Sequence, residues 1–294
     1  MESNNNVEEA LNRFKVGKTP LLSIEAQEFG LESIIVKDES VNHFGTFKDR
    51  KSREAAEYAY NSGVSYVMAI TSGNYGLSLS NFLNLVGIGT ILFVQDGLND
   101  LIVPRLREKA TLIPVDLEEE ELTTEKLESI AGNYVNLSGK KVINATNFYG
   151  DAYLDIFKEI KRELDKDNKK PDYVVLPVGS GELFAVALRY YHLTDIKVIG
   201  VTTDNPKTQA SMLYAKYRPS LDGVFRHENP ERYWLIRANE SEIIQAYNWT
   251  LTQGINSEHS AAAAFVALER YRGILKPSDT IVVLNTGNGM RNFS

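Results

Sequence analysis

The chain has 294 residues, of which 43% are hydrophobic and 24% charged, and its formal net charge is -7. The length predicts about two domains of roughly 150 residues each, and the composition is typical of a globular protein. Lysine and arginine form no basic stripe, which argues against a nucleic-acid partner. No apolar run approaches the roughly 20 residues of a membrane-spanning helix.

The residue types also exclude several kinds of chemistry. Cysteine is absent, so disulfides and thiolate catalysis are ruled out. The four histidines have no metal-ligand spacing, and we expect no metal site. The first residues, MESNNNVEEALNRF, are acidic and polar, unlike a signal peptide. We therefore expect a cytoplasmic enzyme with no membrane partner.

The predicted elements of the first half begin with weak signals and then alternate. Residues 1–15 predict a helix or a loose tail, 18–24 an extended segment and 33–37 a short strand. Short apolar runs then alternate with longer mixed segments. Strands are expected at 66–70, 90–94 and 112–115, and helices from about 46, at 75–86, 99–109 and 123–131. The acidic run 118–121 predicts a solvated loop and helix start.

The second half continues the alternation. Strands are expected at 173–178, 197–202, 233–236 and 280–284, and helices at 150–164, 182–191, 241–252 and 258–271, with a less regular stretch at 203–232. Strands that alternate with helices predict βαβ units and parallel sheets. We therefore expect two α/β lobes, a smaller one at 46–145 and a larger one formed by 1–45 and 146–294. Ligands of such sheets bind outside the carboxyl ends of the strands.

One short run, HFGTFKDR at residues 43–50, lies between a predicted strand and a predicted helix. Its lysine, Lys48, follows Phe47 directly and falls in the first helical turn, where the helix dipole disfavours a cation. A partly buried lysine loses proton affinity by desolvation, and a neutral amine can attack a carbonyl. The alternative is a solvated lysine without a chemical role.

Three further loops follow predicted strands, and each has a structural alternative. They are TSGNYG at 71–76, PVGSGELF at 177–184 and LNTGNGMRN at 284–292. Small residues at the start of a helix expose backbone N–H groups that bind anions. Taken singly, TSGNYG is better explained as a turn, PVGSGELF is weak evidence because Rossmann folds use similar turns, and LNTGNGMRN is plausibly a glycine-rich loop that ends the domain. A fourth run, SEHSAAAAFVAL at 257–268, is explained nearly as well by an alanine-rich core helix.

Together these motifs resemble those of the fold-type II pyridoxal-phosphate (PLP) enzymes, and most closely those of the threonine synthase family. HFGTFKDR resembles the S/T-F-K-D-R signature, TSGNYG the S-G-N-x-G loop, LNTGNG the closing L-T-G-H-G, and SEHSA an E-P-x-S-A helix start. They occur in the family order over nearly the whole chain. The resemblance implies a tryptophan synthase β-like fold: two three-layer α/β lobes with largely parallel sheets and the cofactor in the cleft between them.

The resemblance also implies roles for individual residues. Lys48 would form a Schiff base with PLP and act as general base, and Thr286 would face the pyridine nitrogen. The implied cofactor-binding residues are Lys48, Asn74, Gly179, Ser180, Gly181, Glu182, Leu183 and Thr286. The implied substrate-binding residues are Thr71, Ser72, Gly73, Asn74, Asn147 and Glu258. Glu182 departs from the family loop, because a carboxylate repels a phosphate unless its side chain turns away.

The function implied is that of a PLP-dependent lyase or synthase of amino-acid biosynthesis, catalysing β- or γ-elimination or replacement. Asn147 stands where threonine synthases carry a phosphate-clamping arginine, and an amide cannot supply a guanidinium fork. A different amino-acid substrate is thus at least as well supported. The alternatives are a serine/threonine dehydratase, a cysteine-synthase-type enzyme, a non-catalytic PLP-binding homologue, or a phosphate-ligand binder without PLP. The expected partners are a small-molecule amino acid and a second copy of the chain in a homodimer.

Overall fold

The structure is a computed structural model. It describes residues 2–71, 73–95, 102–116, 122–146, 148, 151–214, 216 and 218–289. The chain divides into two compact units. Unit 1 consists of Met1–Val16 and Lys48–Ala152, and unit 2 of Gly17–Phe47 and Tyr153–Ser294. The acidic run at 118–121 lies outside the described residues.

Strands and helices alternate along most of the chain. The strands are β1 Leu21–Glu25, β2 Ser33–Asp38, β3 Tyr66–Thr71, β4 Gly89–Gln95, β5 Thr111–Val115, β6 Val142–Asn144, β7 Tyr173–Pro177, β8 Lys197–Thr202, β9 Tyr233–Arg237 and β10 Ile281–Asn285. The helices are α1 Glu2–Leu11, α2 Lys48–Asn61, α3 Asn74–Leu85, α4 Val103–Arg107, α5 Thr124–Ala131, α6 Leu154–Asp165, α7 Glu182–Tyr190, α8 Pro219–His227, α9 Glu240–Thr252, α10 His259–Ala262 and α11 Val266–Arg270.

Unit 1 contains a parallel sheet with the strand order β5-β4-β3-β6. Aliphatic and aromatic side chains such as Met68, Ile91 and Phe93 are fully buried and pack against Leu127 of α5. Their burial removes apolar surface from water, which is the main stabilising term of such a sheet. Because the strands run parallel, the loops after β3 and β6 leave the sheet at the same edge.

The first helix belongs to unit 1, whereas the sequence analysis placed residues 1–45 with the larger lobe. Val7 and Leu11 of α1 are buried. The ring of Phe14 packs edge-on against Phe82 of α3, with centroids 5.2 Å apart. The apolar face of this amphipathic helix is thus buried within unit 1, and sequence position alone does not reveal which unit covers it.

Unit 2 contains a sheet with the strand order β1-β2-β10-β7-β8-β9. All neighbouring pairs are parallel except β1 and β2. The last strand, β10, is buried along its whole length and lies between β2 and β7. Asn285 pairs in register with Asp38. The chain therefore leaves β10 at the same edge of the sheet as it leaves β2, toward the lysine-bearing run.

The observed elements differ from the predicted ones in several places. Of the predicted helix 99–109, only Val103–Arg107 is helical among the described residues. The stretch 203–232, predicted to be less regular, contains α8. Pro219 does not prevent this helix, since it occupies the first position, where proline is tolerated. The predicted helix 258–271 is divided into α10 and α11 by a 3-10 turn at Ala263–Phe265. Strand β6 was not predicted. It has three half-buried residues and is defined by its pairing with β3.

Two absences hold for the part of the chain that the structure describes. No helix there combines the length and the apolarity that a membrane crossing requires. No three His, Asp or Glu side chains there are grouped so that they could hold a metal ion.

Candidate active site

The loop between β2 and α2 is shaped by its own backbone and by Asn288. The Gly45 N–H donates to the Asn42 carbonyl at 2.9 Å. Gly45 has φ +70, and a Cβ at this position would lie 2.2 Å from Oδ1 of Asn288. Glycine is required here both by its left-handed backbone and by the side chain packed against it. The Asn288 amide also donates to the Ser40 carbonyl at 3.1 Å.

The same loop pairs with the segment that follows β10. The Phe47 N–H donates to the Thr286 carbonyl at 2.9 Å, and the Asn288 N–H donates to the Gly45 carbonyl at 3.0 Å. Between these bonds, Thr46 and Gly287 form an antiparallel bridge. This short ladder places Thr286 against Phe47, the residue that precedes Lys48. Two predicted cofactor positions, far apart in sequence, are thereby linked through one hydrogen bond and one peptide bond.

Glu258 lies against this ladder. Its N–H donates to the Gly287 carbonyl at 2.9 Å. Its side chain is the nearest neighbour of the space beside Gly289, 3.2 Å from a Cβ built there. The structure therefore brings Glu258 together with the Thr286 loop. The role of Glu258 as a substrate-binding residue stays a prediction.

The TSGNYG loop of unit 1 is held by the hydroxyl of Thr71. Its Oγ1 accepts hydrogen bonds from the N–H of Gly73 at 3.1 Å and of Gly76 at 2.9 Å. Gly73 adopts φ 139 and ψ -86, a backbone region open essentially to glycine alone. Asn74 follows as the first residue of α3 and is buried. Since Thr71 accepts these two bonds, its own hydrogen remains the group that can donate to a ligand.

Ser72 and Asn147, both predicted to bind substrate, lie outside the described residues. Lys48 is the first residue of α2 in unit 1, and its side chain is half-buried. Its predicted role as the reactive amine stays a prediction.

The PVGSGELF loop leads directly into α7 in unit 2. The first helical hydrogen bond runs from the Ala185 N–H to the Gly181 carbonyl at 2.9 Å. The N–H groups of residues 182–184 precede this bond, at the positive end of the helix dipole. Leu183 is buried, while Ser180 is exposed and Glu182 is half-buried. The carboxylate of Glu182 lies in the first turn, where negative charge stabilises the helix.

Packing against the protein's own backbone explains why this loop has glycine at positions 179 and 181, and the sequence did not predict that packing. The resemblance implied that both glycines bind the cofactor. In the structure, a Cβ on Gly179 would lie 2.2 Å from the Met212 carbonyl oxygen, and one on Gly181 would lie 2.4 Å from the Leu221 nitrogen. The Leu221 N–H donates to the Ser180 carbonyl at 3.1 Å. Glycine is thus required at 179 and 181 because the protein's own backbone packs there.

Gly181→Ala is expected to destabilise the protein. Gly181 has φ +93, so alanine adds about 1–3 kcal/mol of backbone strain, before its clash with Leu221 is counted. Urea unfolding measures this loss. The matched control is Gly223→Ala in α8, where a Cβ meets nothing within 4 Å and helix propensity favours alanine by about 1 kcal/mol. Equal stability of the two variants would contradict the prediction.

His43 is an exposed residue of the lysine-bearing loop, and its ring is partly desolvated by a neighbour. Its ring packs edge-on against buried Phe44, with centroids 4.7 Å apart. Burial lowers the pKa of His43 below its ordinary value, because desolvation disfavours the charged imidazolium. We therefore expect a neutral imidazole beside the lysine-bearing loop at pH 7.

The sequence profile of the family described as "Pyridoxal-phosphate dependent enzyme" matches residues 13–287. The chain belongs to this family. The match spans both units, and it confirms the predicted cofactor, pyridoxal 5'-phosphate.

Several proteins of low sequence identity are similar to this chain in sequence or in fold. A threonine synthase from Methanosarcina acetivorans is 24% identical over 94% of this chain and 75% of its own. Two solved structures share the fold at 18% identity. An O-ureido-L-serine synthase has a TM-score of 0.77 and covers 97% of this chain and 93% of its own. The serine racemase from Dictyostelium discoideum has a TM-score of 0.76 and covers 97% of both chains. The predicted fold class, α/β with largely parallel sheets, is confirmed.

The residues described above have the chemistry that the cofactor of this PLP family needs. An amine can bind its aldehyde, and Lys48 carries one on a half-buried side chain. The N-terminus of a helix can bind a phosphate, and α7 offers such an N-terminus directly after the glycine-containing loop. A hydroxyl can hydrogen-bond a ring nitrogen, and Thr286 sits on the ladder next to Phe47. The donor set of each unit therefore fits PLP.

Sequence reasoning missed three residues that shape this site. Asn288 stands where the family motif carries histidine, and this departure was its only sequence signal. Met212 and Leu221 lie in the stretch predicted to be less regular, so no motif indicated that they cover the glycine loop.

Proposed function

We propose that this PLP-family protein is an amino-acid lyase or synthase that catalyses β- or γ-elimination or replacement in the manner of a threonine synthase. One structural observation carries the proposal. The ladder between residues 45–47 and 286–288 ties the peptide before Lys48 to Thr286. A catalytic amine and a hydroxyl for the cofactor ring need this proximity. The similarity to a threonine synthase over 94% of the chain supports the same reaction class.

Each residue then has a stated task. When bound, PLP supplies an electron sink for charge at the substrate α-carbon. The Lys48 amine would hold the cofactor through its aldehyde, and the Lys48 Nζ would accept the substrate α-proton as general base. The first-turn N–H groups of α7 hold the phosphate. Thr286 would hydrogen-bond the ring nitrogen, and as a neutral hydroxyl it would not force protonation there. The Thr71–Asn74 loop orients the substrate carboxylate.

Borohydride reduction tests the lysine assignment without any substrate. The purified protein is loaded with PLP, reduced and mapped by peptide mass spectrometry. We expect one pyridoxyl-phosphate mass increment on Lys48, together with a visible absorbance band before reduction. Loading with 4-pyridoxic acid, which lacks the aldehyde, is the control and leaves the peptide unlabelled. A label confined to other lysines, or no label, would refute the proposal.

A product assay decides among the reaction types. The holoenzyme is incubated with serine, threonine and O-activated derivatives of serine and homoserine. Replacement yields a new amino acid, whereas a dehydratase yields a ketoacid and ammonia. A PLP-loaded protein that forms no product from any of them would favour the non-catalytic homologue instead.

A further inference from the structure

A second lysine, Lys51, is buried one turn after Lys48 on α2. It is only 4% exposed. Burying an ammonium group costs several kcal/mol unless good partners compensate, and the first turns of a helix do not favour a cation. Hydrophobic or neutral residues would fill this position with less desolvation. The contacts of this amine show which part of unit 1 it faces.

The Lys51 amine is fixed at the carboxyl edge of the unit 1 sheet. Its Nζ donates to the Thr146 carbonyl at 3.1 Å and lies over the ring of Tyr75, 5.0 Å from the centroid. The Tyr75 hydroxyl in turn donates to the Ala145 carbonyl at 2.7 Å. Ligands of open α/β sheets bind at this edge. The cation is therefore held where a ligand of unit 1 would be found.

The surrounding backbone is rigid enough to hold that amine in place. The Thr146 Oγ1 accepts from the Ile70 N–H at 2.9 Å, and the Thr146 N–H donates to Asn144 Oδ1 at 2.9 Å. These bonds tie the segment after β6 to the end of β3. In sequence, Thr146 also precedes Asn147. The sequence predicts a substrate contact at Asn147, where threonine synthases carry an arginine and this chain has no cation.

Lys51 is also correctly placed relative to the predicted catalytic amine. Residues three apart on a helix lie on the same face, with Cβ atoms about 5–6 Å apart. Lys48 and Lys51 therefore share one face of α2. An amino acid that reacts at Lys48 can extend its side chain by a few ångströms along this face and reach the second amine.

We propose that Lys51 is a specificity-determining residue that recognises an anionic group, phosphate or carboxylate, at the end of the substrate side chain. This inference rests on the proposed function, since it takes Lys48 as the reacting site. It assigns the substrate to amino acids with an acidic side chain or an acidic activating group. An ammonium group binds either anion by a charge-assisted hydrogen bond.

The test compares ligands by isothermal calorimetry on the PLP-loaded protein. O-phospho-L-serine carries a phosphate, L-aspartate a carboxylate and O-acetyl-L-serine a neutral group. Lys51→Met is expected to weaken binding of at least one anionic ligand about tenfold to a hundredfold, the loss typical of a charge-assisted bond. Binding of O-acetyl-L-serine is expected to stay within about twofold. The stronger of the two anionic ligands identifies the group that Lys51 recognises.

Two further variants separate recognition from structure. Lys51→Arg keeps the charge and is expected to retain most of the preference for the anionic ligand. Arg53→Met removes a cation from the same helix, where Arg53 donates to Asn12, and is expected to change no affinity. The inference would be overturned if Lys51→Met bound all three ligands equally more weakly. It would also be overturned if Lys51→Met did not fold and Lys51→Arg showed no preference for the anionic ligands.

The calorimetry does not depend on turnover, and borohydride labelling of Lys48 is measured separately. A labelled Lys48 with no anion preference in the wild type overturns the Lys51 inference alone. An unlabelled Lys48 with a Lys51-dependent anion preference overturns the proposed reaction and leaves the anion site supported.

Discussion

Lys48→Ala and Lys48→Arg are both expected to lose about 10³-fold or more of the turnover, because proton transfer by a positioned base alone contributes about 10²–10⁴-fold. Arginine keeps the positive charge at this position. Its guanidinium does not deprotonate in proteins, so it can neither bind the cofactor aldehyde nor accept the α-proton. The pair of variants therefore separates amine chemistry from a merely electrostatic role.

Both variants are expected to keep the folded state of the wild type. Alanine and arginine both have high helix propensity, and Lys48 begins α2 with a half-buried side chain. Thermal unfolding followed by circular dichroism measures this.

The matched control is Lys158→Ala on α6. The Lys158 side chain is 58% exposed and pairs with Asp155 on the surface, so its loss is expected to leave turnover unchanged. Turnover of Lys48→Arg above about a tenth of the wild type, with the control active, would remove Lys48 from the mechanism. A base that contributes less than tenfold falls outside the range of general base catalysis.

Breaking the ion pair between Lys37 and Glu159 is expected to cost about 3–5 kcal/mol, the loss found when one partner of a buried pair is removed. Lys37 is fully buried, and its Nζ donates to Glu159 Oε2 and to the Thr19 carbonyl, both at 2.7 Å. The Glu159 carboxylate also accepts from the Lys18 N–H at 2.9 Å. Lys37→Met leaves that carboxylate buried without its cation.

The pair belongs to a network that reaches the lysine-bearing loop. The Thr19 hydroxyl donates to Glu39 Oε1 at 2.5 Å, and the Asn42 amide donates to Glu39 Oε2 at 2.8 Å. Asn42 accepts the Gly45 N–H through its carbonyl. Because these bonds set the course of the loop, Lys37→Met is also expected to bind PLP more weakly than the wild type.

Urea unfolding of a double-mutant cycle measures the coupling. Lys37→Met, Glu159→Gln and the double variant are compared, and the double variant is expected to lose less than the sum of the single losses. Lys158→Met, which breaks the exposed pair with Asp155 on the same helix, is expected to cost no more than about 1 kcal/mol. The prediction would be contradicted if Lys37→Met or Glu159→Gln lowered the free energy of unfolding by no more than Lys158→Met does.

Much of the candidate site was predicted from local sequence because its loops lie where strands end. Lys197–Thr202 was predicted with the bounds that β8 has, and the TSGNYG and PVGSGELF loops do follow β3 and β7. A strand that ends in small residues before a helix has a local cause, since turn conformations and helix starts depend on a few neighbouring residues. Such features can be read without knowing the fold.

Other features could not be read locally. The three residues of β6 have no alternation of their own, and their strand exists because β3 offers hydrogen-bonding partners. The position of β10 between β2 and β7 pairs Val282 with Ile35, 247 positions away in sequence, and Ile281 with Tyr173, 108 positions away. The glycines at 179 and 181 meet backbone from a stretch that carried no motif. Each of these depends on pairing or packing with a distant segment.

By itself, then, the sequence determined the alternation of strands and helices, the position of the Lys48 amine and the order of the family's loops. Each of these features depends only on a short segment of neighbouring residues. Only the tertiary structure decided that Thr286 pairs with Phe47, that Asn288 fills the space beside Gly45 and that Lys51 lies at the sheet edge. Those relations arise when the order of strands in a sheet brings remote segments within hydrogen-bonding distance, and no local pattern records that order.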